Sequence, residues 1–230
     1  MKLSKLLNKK IIITAGPTAE YLDPVRYITN RSSGKMGIAL ADAAFKFGLH
    51  TVLIKGIVNS SLVKGKKYTV KSVISAIEML ECVMSEICDN SVLIMAAAPA
   101  DYRFSSIHAE KIKKNDNEIS ITLVKNPDIL KSVSKLRNDR KLNIFLAGFA
   151  AETNNLEAYA RKKLIDKNID IICANDVSDP QIGFDSDFNS ITLFRSDGAR
   201  KDLSRVLKKD AAKFILKSID DYLEEKNNEN

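Results

Sequence analysis

Short apolar runs, separated by segments with helical spacing, constrain this chain more than any other feature. Ile11 to Ala15 is a β-branched run that stops at Gly16-Pro17, the pattern of a buried parallel strand. From Gly34 to Phe47 the residues Met36, Ile38, Leu40, Ala41, Ala44 and Phe45 recur at helical spacing, and Gly48 stands where a C-terminal helix glycine belongs. Thr51 to Lys55 reads as the next strand and Tyr68 to Val73 as another. Ser75 to Ile87 predicts a helix with Ile77, Leu80, Val83, Met84 and Ile87 on one face. Val92 to Ala97 is a very apolar strand. Asn143 to Ala147 is a strand ended by Gly148, Glu152 to Asn168 a charged helix, and Ile169 to Ala174 a further strand. Strands that alternate with helices imply βαβ units, hence an α/β fold with a mainly parallel sheet flanked by helices.

Two regions break that rhythm. His108 to Leu123 holds a basic cluster, a polar turn at Asn115-Asp116-Asn117 and an alternating strand over Glu118 to Leu123, the pattern of a hairpin or flap laid on the core. Asn189 to Arg195 predicts an antiparallel edge strand and Leu203 to Leu223 a long amphipathic helix. Residues 1–10 read as a short N-terminal extension and 224–230 as a frayed tail. With no internal repeat and no linker, 1–230 reads as a single domain.

Composition narrows the function classes. At 45% hydrophobic and 28% charged the chain is of the soluble globular type. Its longest apolar runs fall short of the roughly 20 residues that cross a bilayer. The N-terminus MKLSKLLNKK has neither an extended apolar stretch nor a small-residue cleavage site, so no signal peptide is read there. Three cysteines, Cys82, Cys88 and Cys173, form no CxxC pair and are expected to be buried free thiols in a reducing cytosol. Two histidines, His50 and His108, argue against a histidine-rich metal site and a Ser-His-Asp triad. The net charge of +7 suits a nucleic acid or a small anionic substrate. The 7% aromatic content, the absence of Trp and the lack of a long basic run favour the small substrate.

In an open α/β sheet, ligands bind beyond the carboxyl ends of the strands. There the chain has Gly16-Pro17-Thr18, the stretch Asn30 to Gly37 (NRSSGKMG), Ala96 to Asp101, Gly148 to Glu152, and Asn175-Asp176. NRSSGKMG looks like a phosphate loop but fails at two anchors: Thr29 replaces the first glycine, and Met36 the hydroxyl residue after the lysine. Ser32 or Ser33 can nevertheless cap a helix whose N–H groups, with Gly34 and Lys35, make an anion site; an ordinary capped helix start fits equally well. The alanines before Asp101 let a flat ring lie against backbone, and Asp101 can accept ribose hydroxyls or simply close a turn. Lys163 and Lys167 lie four apart on one helical face, where like charges repel unless an anion lies between them; a solvated basic face is the competing reading. Lys111, Lys113 and Lys114 sit on the presumed flap, where they could close over a polyphosphate or merely discourage edge pairing. With no evident nucleophile and no histidine base, these groups suit a reaction driven by positioning and charge neutralisation on a nucleoside triphosphate.

In this order, GPTAEYLDPVRYITNRSSGKMG, AAAPADYR, KIKK, KNPDIL, GFAAETNN and CANDVS closely resemble the phosphopantothenate–cysteine ligase family of coenzyme A biosynthesis, in its bacterial CTP-using branch. The similarity runs from about Ile11 to Phe194. It implies a Rossmann-like fold, a homodimer, and CTP with magnesium as the nucleotide substrate, with the metal ligands left open and no flavin. The implied reaction joins 4′-phosphopantothenate to cysteine through an acyl-cytidylate. It implies that cytosine and ribose lie at Met95, Ala96, Ala97 and Asp101, with Phe149 in the base pocket and the helix start Pro127, Asp128, Ile129 and Leu130 against the nucleotide. Lys111 is implicated in cytidylate formation, and Lys163 and Lys167 reach the nucleotide. Asn30 is expected to hold the acyl-cytidylate carbonyl, and Arg26 to pair with the carboxylate or a phosphate.

The chain departs from the family pattern in two ways. Many bacterial relatives carry an N-terminal flavin-dependent decarboxylase, whereas only about ten residues precede Ile11, so that step is expected on a separate chain. The family commonly shows Gly-Gly-Thr-Arg-Glu after the first strand, where this chain has Gly16-Pro17-Thr18-Ala19-Glu20; Pro17 stiffens the loop and removes one N–H donor. The competing readings are a Rossmann-type NAD(P)-dependent oxidoreductase, disfavoured by the missing GxGxxG, and a basic nucleic-acid-binding protein.

Overall fold

The apolar runs become the middle of one sheet. The computed structural model describes residues 2–113, 118–152, 155–176 and 186–228, without the side chains of 151, 152 and 176. In chain order the elements are β1 (Lys10–Ala15), β2 (Ala19–Tyr21), β3 (Tyr27–Thr29), α1 (Lys35–Lys46), β4 (His50–Lys55), β5 (Thr69–Ser72), α2 (Ala76–Glu86), β6 (Ser91–Met95), β7 (Tyr102–Phe104), β8 (Leu123–Lys125), α3 (Ile129–Asp139), β9 (Ile144–Glu152), α4 (Leu156–Asp166), β10 (Ile171–Asp176), β11 (Phe188–Arg195), β12 (Arg200–Leu207) and α5 (Lys208–Asn228). The main sheet has eight strands in the order β12-β11-β10-β9-β6-β1-β4-β5. Strands β5 through β10 in that row are mutually parallel, and β11 and β12 run antiparallel. Numbered among themselves, the parallel strands stand in the order 3-2-1-4-5-6, the doubly wound arrangement whose crevice opens where the order reverses. Here that point lies between β1 and β6.

Alternation within these strands sorts the two cores. Ile11, Ile13, Val92 and Ile94 face α1 and α5, packing with Leu40, Ala44, Ile215 and Ile219. Ile12, Leu93 and Met95 face α2, α3 and α4, packing with Met79, Val133 and Leu164. Burying each large aliphatic chain stabilises the fold by about 1.5–3 kcal/mol. Gly37 lets α1 lie directly on β1: a Cβ there would stand 2.5 Å from the Thr14 carbonyl oxygen and 2.6 Å from the Ala15 Cβ.

The structure departs from the sequence expectations at several places. The helix at 76–86 buries Ala76, Met79 and Val83, while Ile77 is 36% exposed. Ser75 caps it through the Glu78 N–H, and the buried stripe runs one residue earlier than the most hydrophobic reading. Gly148 does not end its strand. It sits inside β9, where a Cβ would meet Leu130 at 2.9 Å and Ile169 at 3.1 Å, so the missing side chain serves packing. Strand β11 is antiparallel as expected but lies inside the edge, because residues 200–207 form β12 rather than the start of a helix. The residues read as a tail continue α5 to Asn228. Leu3 and Leu6 are buried, and the Asp220 carboxylate accepts the Lys5 and Leu6 N–H groups at 2.8 and 3.2 Å. Cys88 is exposed, whereas Cys173 is buried and its thiol is pushed up to about 12 by that burial. Among the described residues no helix is long and apolar enough to cross a membrane.

In the segment read as a flap, the described residues 108–113 and 118–122 carry no strand. Among the described residues only β7 and β8 pair, at its base, and Ser105 donates to the Thr122 carbonyl at 3.0 Å. Residues 118–122 are not in strand conformation, and the polar turn at 115–117, like Lys114, lies outside the described residues. The small hairpin β2–β3 had no sequence counterpart.

Candidate active site

Two clefts open at the carboxyl rim of the sheet and share a wall of Ala97, Asp101 and Phe149. The first, about 450 Å³, is lined by Asn30, Ser32, Ser33, Gly34, Lys35, Ala96 and Lys163, among others. The second, about 580 Å³, takes in Met95, Tyr102, Pro127, Asp128, Ile129, Leu130 and Lys167. The structure therefore gathers most of the expected residues at the switch point but divides them between neighbouring spaces. Lys163 and Lys167 fall one on each side.

The loop after β6 is pinned from below by the loop after β1. Ala97 donates to Thr14 Oγ1 at 3.0 Å, Ala98 to the Gly16 carbonyl at 3.0 Å, and Ala100 to Thr18 Oγ1 at 2.9 Å. With those N–H groups spent inside the protein, the loop presents carbonyl oxygens and methyl groups to a ligand. Asn126 fixes the far end, its amide donating to the Ala100 carbonyl at 2.9 Å. Asn30 reaches across from the loop after β3, donating to the Pro99 carbonyl at 3.0 Å.

Helix α1 points its N-terminus at the first cleft. Neither Ser32 nor Ser33, the caps expected from the sequence, caps it. The N-cap is Gly34, in the left-handed region at φ 73°, and no side chain caps the helix. Glycine tolerates that conformation and lets the helix entry lie 3.2 Å from Gly16 Cα, measured from an ideal Cβ. Ser32 instead accepts weakly from the Gly34 N–H at 3.4 Å. First-turn N–H groups that face a cavity make an anion site. Lys35 holds Asp187 at 2.7 Å. Lys167 lies 3.0 Å from Asp128, whose other oxygen caps α3 through the Lys131 N–H at 3.1 Å.

Arg26 and Lys111 line neither cleft. Arg26 pairs with Asp23 at 3.1 Å and donates to the Ile112 carbonyl. Asp23 accepts the N–H groups of Val25 and Arg26 at 2.8 Å and of Ile112 at 3.2 Å. Arg26 thus anchors the long loop beside Lys111 rather than facing a cavity. Burial alone would raise the Asp23 pKa, but those three N–H groups and the Arg26 guanidinium hold it below the usual carboxylate value. A depressed carboxylate pKa adds stability that is present above the unfolded-state pKa and lost as pH falls through the folded one. The stability lost in Asp23→Asn, followed by urea unfolding, is therefore expected to be constant from pH 7 to about 5 and to shrink below about pH 4. A difference that stays unchanged down to the most acid conditions would exclude this role.

Asn189 and Lys208 escaped the sequence reading as lining residues, and Arg31 and Asn175 were recognised only as parts of loops. The amide oxygens of Asn175 and Asn189 are buried without a hydrogen-bond partner among the described residues. Asn189 and Lys208 come from the antiparallel strand and the last helix, to which the carboxyl-end rule does not apply.

The family model for the DNA/pantothenate metabolism flavoprotein C-terminal domain matches residues 6–223. The chain is 50% identical over 197 residues to the coenzyme A biosynthesis bifunctional protein CoaBC of Vibrio vulnificus, covering 85% of this chain and 48% of that one. It is 47% identical over 199 residues to CoaBC of Escherichia coli, with the same coverage. Against CoaBC of Bacillus subtilis it is 42% identical over 214 residues, 93% of this chain and 52% of that one. The chain spans about half the length of the curated relatives it matches. A crystal structure of the CoaBC C-terminal domain superposes with a TM-score of 0.76 at 39% identity, covering 96% of this chain and 98% of the other. A Streptococcus pneumoniae DNA/pantothenate metabolism flavoprotein shares the fold, with a TM-score of 0.76 at 24% identity and coverage of 93% and 99%. The doubly wound sheet, the paired clefts at its switch point and these matches identify the chain as a member of the DNA/pantothenate metabolism flavoprotein C-terminal domain family.

Proposed function

We propose that this chain is a ligase of coenzyme A biosynthesis. It activates the carboxylate of 4′-phosphopantothenate with CTP, giving an acyl-cytidylate and pyrophosphate, and then transfers the acyl group to cysteine with loss of CMP. The carrying observation is the pair of clefts with a common wall at Ala97, Asp101 and Phe149. In this reading the second cleft takes the nucleoside: the methyl groups and Phe149 suit a flat ring, loop carbonyls accept from an exocyclic amino group, and Asp101 accepts from ribose. The phosphates extend into the first cleft, toward the α1 N-terminus, Lys35 and Lys163. The α-phosphorus then lies at the shared wall, where a carboxylate arriving past Asn30 can attack it in line. The CoaBC relatives support the place in coenzyme A biosynthesis.

Among the described residues no cluster of three His, Cys, Asp or Glu side chains forms a metal cage. A magnesium ion carried on substrate phosphates keeps most of its water and needs no such cage. Asn175, with its unpartnered amide oxygen, is suited to accept from one such water. Magnesium would supply screening of the triphosphate charge. A second copy of the chain would cover the exposed apolar residues Val25 and Tyr27 on the β2–β3 hairpin, in keeping with a homodimer.

The test is stoichiometry. With CTP, magnesium, phosphopantothenate and cysteine, one pyrophosphate and one CMP are expected per amide formed. Nicotinamide-dependent turnover without pyrophosphate would point to an oxidoreductase instead. Lys111 sits next to Ile112, which is anchored to Asp23 and Arg26. Lys111→Ala is expected to slow single-turnover pyrophosphate release by about 100-fold, the scale of one lost charge-stabilising donor. An unchanged rate would remove Lys111 from that step.

A further inference from the structure

The fold buries a carboxyl group that the proposed reaction does not use. Glu20, in β2, is 4% exposed, and Thr18 beside it is fully buried. Such a group is unfavourable in the interior unless hydrogen bonds answer it. Glu20 Oε1 accepts the N–H of Ala76, the first residue of α2, at 2.9 Å and the Thr18 hydroxyl at 3.0 Å. The positive end of α2 suits that oxygen as well.

These two bonds set the direction of a third. A threonine hydroxyl has one proton to give. Thr18 gives it to Glu20, so its lone pairs face the Ala100 N–H, which donates to Thr18 Oγ1 at 2.9 Å. A relay of hydrogen bonds thus runs from the start of α2, through Glu20 and Thr18, to the loop after β6. The Thr18 carbonyl also accepts from Thr29 Oγ1, the residue before Asn30, at 2.6 Å.

The last link of the relay decides what the loop shows a ligand. Ala96 donates to the Ile94 carbonyl at 3.1 Å, Ala97 to Thr14 Oγ1 at 3.0 Å and Ala98 to the Gly16 carbonyl at 3.0 Å, while Pro99 has no N–H. With Ala100 held by Thr18, every N–H of residues 96–100 is engaged inside the protein. Ala97, Pro99 and Ala100 line the second cleft, so the loop meets a base there with carbonyl oxygens. Those oxygens accept from an exocyclic amino group and repel a ring carbonyl in the same place. An Ala100 N–H released from Thr18 is free to turn outward and supply a donor, which removes the distinction.

We propose that Glu20, acting through Thr18, is a positioning residue for base selection: it holds the loop after β6 so that the loop offers acceptors without a donor, and a pyrimidine with an amino group is chosen over one with a carbonyl. The assignment rests on the ligase reading, which puts the nucleoside in the second cleft.

Calorimetric titration of the full chain with CTP and with UTP, in magnesium, reads this selection without turnover. The wild type is expected to bind CTP more tightly than UTP. Thr18→Val, which replaces the hydroxyl with a methyl group, is expected to weaken CTP binding about tenfold and to lower the CTP-to-UTP ratio about as much, the scale of one buried donor left unpaired. Glu20→Ala is expected to act in the same direction. Thr18→Ser and Glu20→Gln keep the hydroxyl and the accepting oxygen and are expected to retain the wild-type ratio. A loss of packing alone lowers stability and leaves the ratio unchanged. Without nucleotide, amide hydrogen exchange in residues 96–101 is expected to be faster in Thr18→Val, with exchange in residues 144–150 unaltered. A wild-type ratio or wild-type loop exchange in Thr18→Val overturns the proposal and leaves the ligase reading standing; so does a lost ratio in Thr18→Ser. A wild type that binds neither nucleotide overturns the ligase reading and the base-selecting role with it. If circular dichroism shows that Thr18→Val does not fold, Thr18→Ala, which admits water to the same N–H, carries the same expectation and decides.

Discussion

Gly37→Ala is expected to destabilise the protein by about 3 kcal/mol, although the same exchange inside a helix ordinarily stabilises by about 1 kcal/mol. The reversal follows from contact rather than propensity. The added methyl would lie 2.5 Å from the Thr14 carbonyl oxygen and 3.0 Å from Ala15 Cα, both backbone atoms of the central strand. Neither can turn aside as a flexible side chain would. Relief requires α1 to lift off β1, which also loosens the packing of Leu40, Ala41 and Ala44 on Ile11 and Ile13. The helix N-terminus at the first cleft would move with it, so weaker nucleotide binding should accompany the loss of stability. Urea unfolding gives the first quantity and titration the second. A variant as stable as the parent would show that the helix does not bear on β1 in this way.

Asn30→Asp is expected to lower amide formation by about 100- to 1000-fold while pyrophosphate release continues, so that the acyl-cytidylate builds up. Asn30 donates to the Pro99 carbonyl at 3.0 Å and, at the long distance of 3.5 Å, to the Ala98 carbonyl, a weak bond that a ligand can displace, and it is exposed at the mouth of the first cleft. An amide can donate a second hydrogen to a developing oxyanion without bringing a charge. Aspartate would lose both donors and set a negative charge against the carbonyls of Pro99 and of the acyl group. Mass spectrometry of quenched mixtures should find the trapped intermediate. If amide formation and pyrophosphate release fall together, Asn30 acts before the intermediate, and its assigned role is wrong.

The parallel strands were legible because they are buried on both faces and therefore read as continuous apolar runs, as at Ile11–Ala15 and Val92–Met95. The outer strand β12 was not. In residues 200–207, Leu203, Val206 and Leu207 fall at helical spacing, and only pairing with β11 decides for a strand. Glu118 to Leu123 misled in the opposite way: its alternation suits a strand, but ladder pairing with β7 begins at Leu123, preceded by one bond from Ser105 to the Thr122 carbonyl. The β2–β3 hairpin has three-residue strands, too short for a period, and depends on Asp23 accepting from its own turn. Most of the site could be read from loops after parallel strands. Asn189 and Lys208 could not, because their place in the cleft follows from the antiparallel turn-back of the chain and from the contact between α1 and α5.

The proposed activation requires a carboxylate to attack the α-phosphorus at the wall common to both clefts, and isotope transfer tests that directly. Phosphopantothenate labelled with oxygen-18 in its carboxylate should deliver one labelled oxygen to CMP and none to pyrophosphate, because the acyl–oxygen bond is the one broken when cysteine attacks. Label appearing in inorganic phosphate or pyrophosphate, or an unlabelled CMP with amide formed, would contradict it.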